Sequence, residues 1–232
     1  PVLTIVRQAA AWTIAKRRAA ATIVGMKIVQ LFAVEAGGIR PLPVPDHITS
    51  FDQLYDGLDL GVYSALRTFD HNKFLYLEHH IERTRSSMVL LGWPDTLDEA
   101  RLRQGLHDAC GQYPLPDARV RFDFLAAAPH HLGTDSRLLI GLMPFTLPPA
   151  ELYAQGVKVG FAPDLARANP LAKTAAFAQK RRAYKADSDV YEYLLLSADG
   201  EILEGTSTNF YGVLDGVFHT AGTGVLAGIT RK

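Results

Sequence analysis

The chain has 232 residues, 48% hydrophobic and 21% charged, which is enough for one large domain or two modest ones. Its 24 basic and 24 acidic side chains cancel, so there is no electrostatic footprint for nucleic acid or an anionic membrane. No apolar run reaches the roughly 18 to 20 residues of a membrane span, and the lone Cys110 excludes an intrachain disulfide and a cysteine-based zinc site. A cytoplasmic protein without a metal is the expectation.

Residues 1–25 carry Arg and Lys but no acid, and are read as a non-native or disordered extension upstream of a start at Met26. Met26 to Arg40 reads as a strand pair turned at Gly37-Gly38. Ser50 caps a short helix, and GVYSALRTF from Gly61 is a strand. Glu78 to Leu91 has the helical spacing Ile81, Met88, Leu91 and stops at Gly92 and Pro94. Asp95 or Thr96 is expected to cap a second helix with Leu97, Leu102, Leu106 and Cys110 inward. Two strands follow, ARVRFDFLAA and RLLIGLMPF. The proline-bearing connector Pro144 to Pro149 then divides an N-terminal α/β domain, 26–145, from a C-terminal domain, 150–232.

Past the connector, VKVGFAP is a strand and the loop around Arg167 leads to Lys173. A basic helix follows, then Tyr191 to Thr220. There, turns at Ala198-Asp199-Gly200 and Asp215-Gly216 predict a meander of three antiparallel strands. The chain stops at Lys232 directly after a strand-to-helix signal, which reads as a fragment.

Four features could carry chemistry. Arg67 lies inside a strand, where its fork faces water or binds an anion such as phosphate. Lys173 sits where a loop meets a helix; it is a surface lysine, or an amine desolvated enough to attack a carbonyl. Glu204, in the middle strand beside Gly205 and small polar residues, is an edge-strand carboxylate or lines a pocket for a flat ligand. Gly228-Ile229-Thr230 is a turn and N-cap, or a donor set for a phosphate. An amine, a carboxylate and a phosphate clamp are together what pyridoxal phosphate requires, the lysine forming a Schiff base and the acid holding the ring nitrogen protonated. Lys180 is the rival lysine, but it stands mid-helix rather than at a loop end.

EGTSTNFY, FHT and LAGITR resemble the signature of the class IV, or fold-type IV, aminotransferases, and GVYSALRTF with LEHHIERTRSS resembles that family's N-terminal segment. The resemblance runs from about residue 58 to 232. It implies a two-domain α/β fold, with a mostly β, incomplete C-terminal half, that binds pyridoxal 5'-phosphate as a homodimer. Residue by residue, it implies Arg67 on the cofactor phosphate, Lys173 as the catalytic Schiff-base lysine and Glu204 on the pyridinium nitrogen. Ile229 and Thr230 become phosphate donors, and Arg121 lies near the substrate carboxylate. His80 and Arg83 read as structural. Phe177 and Ala178 depart from the Asn-Tyr pair usual in branched-chain members. The implied reaction is transamination between an amino acid, branched-chain-like first, and a 2-keto acid. The alternatives are 4-amino-4-deoxychorismate lyase, a D-amino acid or amine transaminase, and an inactive truncated homologue.

Overall fold

Alternating apolar residues and tight turns build the first half around one sheet. The computed structural model describes residues 28–59, 61–185 and 189–231, so the extension expected over 1–25 lies outside them. Strands β1 (Gln30–Glu35) and β2 (Gly38–Leu42) form a hairpin, followed by helix α1 (Phe51–Leu54). Strand β3 (Val62–Phe69) turns through Asp70 and His71, both with positive φ, into β4 (Lys73–Phe74). Helices α2 (Leu77–Leu90) and α3 (Glu99–Gly111) come next, then β5 (Ala118–Phe124) and β6 (Leu138–Pro144). These strands form a six-stranded sheet in the order β2-β1-β6-β5-β3-β4, all of whose pairs are antiparallel.

One face of this sheet packs Val120, Phe122, Ile140 and Leu142 against Ile81, Met88, Leu102 and Leu106 of α2 and α3. The other face packs Leu31, Ala33 and Leu139 against Phe51, Leu54 and Tyr55. Asp98, rather than Asp95 or Thr96, caps α3, accepting a hydrogen bond from Arg101 N at 3.0 Å. Asp95 instead pairs with Arg85. Leu91 is not inward; it follows the last turn of α2 and is 38% exposed.

After the connector come α4 (Ala150–Gln155), β7 (Val159–Ala162) and α5 (Ala175–Lys180), then β8 (Glu192–Leu196) and β9 (Ile202–Gly205). β7 pairs with β8 in parallel and β8 with β9 antiparallel. The expected three-strand meander is not a single sheet. Its last strands, β10 (Gly212–Leu214) and β11 (Val217–His219), form a separate hairpin. The break has a chemical cause. The Glu192 carboxylate accepts from Thr206 Oγ1 at 2.5 Å, Ser207 N at 3.1 Å and Ser207 Oγ at 2.6 Å, which folds the chain out of the strand after Gly205. Among the described residues no helix is long and apolar enough to cross a membrane.

Candidate active site

The site begins where the two halves of the chain share backbone hydrogen bonds. Tyr63 N donates to Lys173 O at 3.2 Å and Ala175 N to Gly61 O at 2.9 Å, so Thr174 forms an isolated antiparallel bridge with Val62 at the start of β3. From the helix side, Lys173 N donates to Ser87 Oγ of α2 at 3.0 Å. Thr174 then caps α5, accepting from Phe177 N. Lys173 is thus fixed at a loop-to-helix junction, whereas Lys180 lies exposed at the far end of α5.

The surroundings of Lys173 change its chemistry. Its Nζ lies 4.7 Å from the centroid of the Tyr63 ring. Burial lowers the amine from its ordinary 10.5 to about 8, helped by the charges of Arg83, Arg167 and Arg181 and opposed by Tyr63. Burial alone would raise the Tyr63 phenol, but Lys173, Arg181, Arg121 and Arg167 outweigh it and bring Tyr63 down to about 8. An amine and a phenol in contact therefore titrate in the same range.

Glu204 stands at the end of an edge strand yet is only 2% exposed. Its Oε1 accepts from Arg167 Nε at 2.6 Å and from Leu226 N at 3.3 Å, which leaves Oε2 as an acceptor. The Arg167 guanidinium stacks 3.7 Å above the Phe177 ring. Arg167 therefore links the two candidates: it pairs with Glu204, and its charge is felt at Lys173.

A second guanidinium comes from α2. The inward stripe of this helix holds His80, Thr84 and Ser87, polar residues where a plain packing helix would carry apolar ones. Burial first, then Arg83 and Lys173, hold His80 down to about 4, so it is neutral at pH 7. Its Nδ1 lies 2.8 Å from Ser64 Oγ, and Ser64 Oγ accepts from Arg83 at 2.9 Å. Arg83 Nε is buried without an acceptor among the described residues. At the other end of the site, Gly228 has no room for a side chain, because an added Cβ would lie 2.1 Å from Asn209 Oδ1. Ile229 and Thr230 follow in a turn closed by Arg231 N donating to Gly228 O at 3.0 Å.

Of the expected residues, Arg67 lies away from Lys173, and Arg121 reaches the Tyr63 ring with an acid already on it. Arg67 is four residues along β3 from Tyr63, about 13 Å at ordinary strand rise. There it donates to Asp117 at 3.2 Å and lies between the Phe69 and Phe145 rings. Arg121 is buried, with Nε and one terminal nitrogen on Asp123 at 2.8 and 2.5 Å and its plane between the Tyr55 and Tyr63 rings. The pairing was readable: residues two apart on a strand share a face, and ARVRFDF alternates charge with apolar side chains. Arg83, read from sequence as structural, is the cation of this helix that reaches the site. The polar inward stripe of α2 was the signal for it.

A family described as amino-transferase class IV matches residues 61–232, most of the chain. The chain belongs to this family. Sequence comparison with curated proteins finds no match. Among solved structures, a protein assigned as a branched-chain amino acid aminotransferase from Thermotoga maritima is 21% identical. That match covers 88% of this chain and 71% of the other, with a TM-score of 0.66. A hypothetical aminotransferase from Mycobacterium tuberculosis in its PLP-bound form is 18% identical over 88% and 75% of the two chains, with a TM-score of 0.64. A protein assigned as 4-amino-4-deoxychorismate lyase is 25% identical over 81% and 73%, with a TM-score of 0.59. This class IV chain therefore shares the fold of proteins assigned as transaminases and as a lyase alike.

Proposed function

We propose that this class IV protein is a pyridoxal-phosphate-dependent transaminase that uses Lys173 to move an amino group between an amino acid and a 2-keto acid. The observation that carries the reading is the Lys173 amine, brought to about 8 and joined through Arg167 to a buried carboxylate. The residues present fit the cofactor. Arg83 has a buried, unpartnered Nε for a phosphate oxygen, Glu204 keeps Oε2 for a ring N–H, and Ile229 and Thr230 add donors from their turn. When bound, the cofactor supplies an aldehyde that captures an amine and a ring that accepts an electron pair.

The chain's own residues do the rest. Lys173 Nζ is neutral often enough at pH 7 to act as a nucleophile, and over the two half-reactions it takes a proton from the α-carbon of the amino donor and gives one to the α-carbon of the keto acid acceptor. Arg167 keeps Glu204 oriented. The Ser64–His80 contact fixes one terminal nitrogen of Arg83, so its Nε and remaining N–H groups are presented in one direction. In the same reading the chain pairs as a homodimer; Leu75, Tyr76, Val89 and Leu90, which are exposed apolar residues along α2 and its approach, are the surface that pairing would cover.

Borohydride trapping with pyridoxal phosphate, followed by peptide mapping, tests the assignment. The adduct is expected on Lys173, to vanish in Lys173→Ala and to persist in Lys180→Ala; an adduct on Lys180 alone would refute it. The lyase likeness supports a second reading in which the same lysine cleaves 4-amino-4-deoxychorismate. Turnover that requires 2-oxoglutarate selects the transaminase, with branched-chain amino acids the first donors to try; turnover without any keto acid selects the lyase.

A further inference from the structure

Five arginines surround or approach the Lys173 site, and four of them already have an assignment. Arg121 is closed by Asp123, Arg167 is paired with Glu204, and both terminal nitrogens of Arg182, though not its Nε, are taken by Asp56 and the Asp52 carbonyl. Arg83 belongs to the phosphate in the reading above, on which this inference rests. Arg181 is left. It follows the last turn of α5 and lies four residues past Phe177, on the helix face that meets the Glu204 strand. One terminal nitrogen donates to Thr206 O at 2.8 Å, two residues beyond Glu204. Its Nε is buried and has no acceptor among the described residues. A half-buried guanidinium held by a backbone carbonyl, with a donor still unmet, is built for a further anion.

We propose that Arg181 holds the carboxylate of the amino acid and keto acid substrates, in the role that the family resemblance implies for Arg121. The charge of Arg181 reaches both Lys173 and Tyr63, so a carboxylate bound there lies within the field of the amine that must attack or deprotonate its neighbour carbon. A carboxylate at Arg181 would also offset part of the cationic repulsion at Lys173. Substrate binding would then raise the affinity of the amine for a proton, the direction needed once it has to accept one.

The test is calorimetric titration of the full chain, with and without pyridoxal phosphate, using 4-methylpentanoate and its carboxamide as unreactive probes. The expected result is that Arg181→Met weakens carboxylate binding at least tenfold, that Arg181→Lys recovers part of the loss, and that carboxamide binding changes less than twofold in both. Equal losses for carboxylate and carboxamide would mean that Arg181 only supports the Thr206 turn, and the proposal falls. Unchanged carboxylate binding in Arg181→Met, or no carboxylate binding by the unaltered chain, overturns it too. The cofactor reading fails separately, through the absence of the borohydride adduct.

Discussion

An enclosed amine beside three guanidiniums costs folding free energy, and the cost depends on pH. Because Lys173 is lowered from 10.5 to about 8, the penalty is fully present below pH 8, where both folded and unfolded chains hold the proton. Between about 8 and 10.5 the unfolded chain binds more protons, so stability rises with pH by up to about 1.4 kcal/mol per unit. Tyr63, lowered from 10.0 to about 8, adds in the same direction. Lys173→Met is therefore expected to be more stable than the parent at pH 7, by at most about 3 kcal/mol, with the gap closing above pH 8. Urea titrations at pH 7 and 10 measure it, and a constant gap would show that the lysine is not strained.

The Glu204–Arg167 pair is the opposite case. Each partner is under a tenth exposed, so removing one leaves a buried charge without its counterion. Glu204→Ala should cost about 3 to 5 kcal/mol by chemical denaturation, whereas Glu204→Ala with Arg167→Met should cost less than Glu204→Ala alone. The loop-end setting of Lys173 and the partnered carboxylate of Glu204 were legible in the sequence, because a lysine before a helix and a strand carboxylate among small residues are local patterns. Arg83 and Arg181 were not. Their importance depends on which other arginines are neutralised, and Asp123, Glu204 and Asp56 are matched to Arg121, Arg167 and Arg182 only by the fold.

At the scale of elements, the approach to β3 can lie against the end of β5 only because Gly61 stands there, and the carbonyl of the same glycine receives Ala175 N of the Lys173 segment. A Cβ on Gly61 would lie 2.0 Å from Phe124 O and 2.8 Å from Leu125 Cα, both backbone atoms that cannot rotate away. Gly61→Ala should lower stability by about 2 kcal/mol or more and reduce the yield of the Lys173 adduct, read by thermal melting and mass spectrometry. An unchanged melt would mean that the strand start is slack. Most strands were readable from alternation and turn residues. The failures came from side chains acting on backbone: Glu192 gathers Thr206 and Ser207 and ends β9, and Asp98 takes the cap that Asp95 gives up to Arg85. The parallel pairing of β7 with β8 left no local trace, since its partners are joined only through α5 and the loops around it.

Over the whole molecule, Lys173 follows the proline-bearing connector in sequence but is held by the six-stranded sheet that precedes it. Its carbonyl and the Ala175 amide bond to the start of β3, and its own amide bonds to α2. The long-range ion pair from Arg182 to Asp56 adds a tie of the exposed kind, usually worth under about 1 kcal/mol, so the backbone bonds carry more of the attachment. This arrangement has a consequence for the nascent protein. The receiving sheet is synthesised well before the lysine, and domains form largely as units during synthesis. Until the later segment docks, Lys173 is an ordinary solvated amine near 10.5, protonated and a poor nucleophile. With Lys173 in the role proposed above, a chain caught half-assembled is expected to react more slowly with aldehydes at this position, and capture of the cofactor there would report that the later segment has docked.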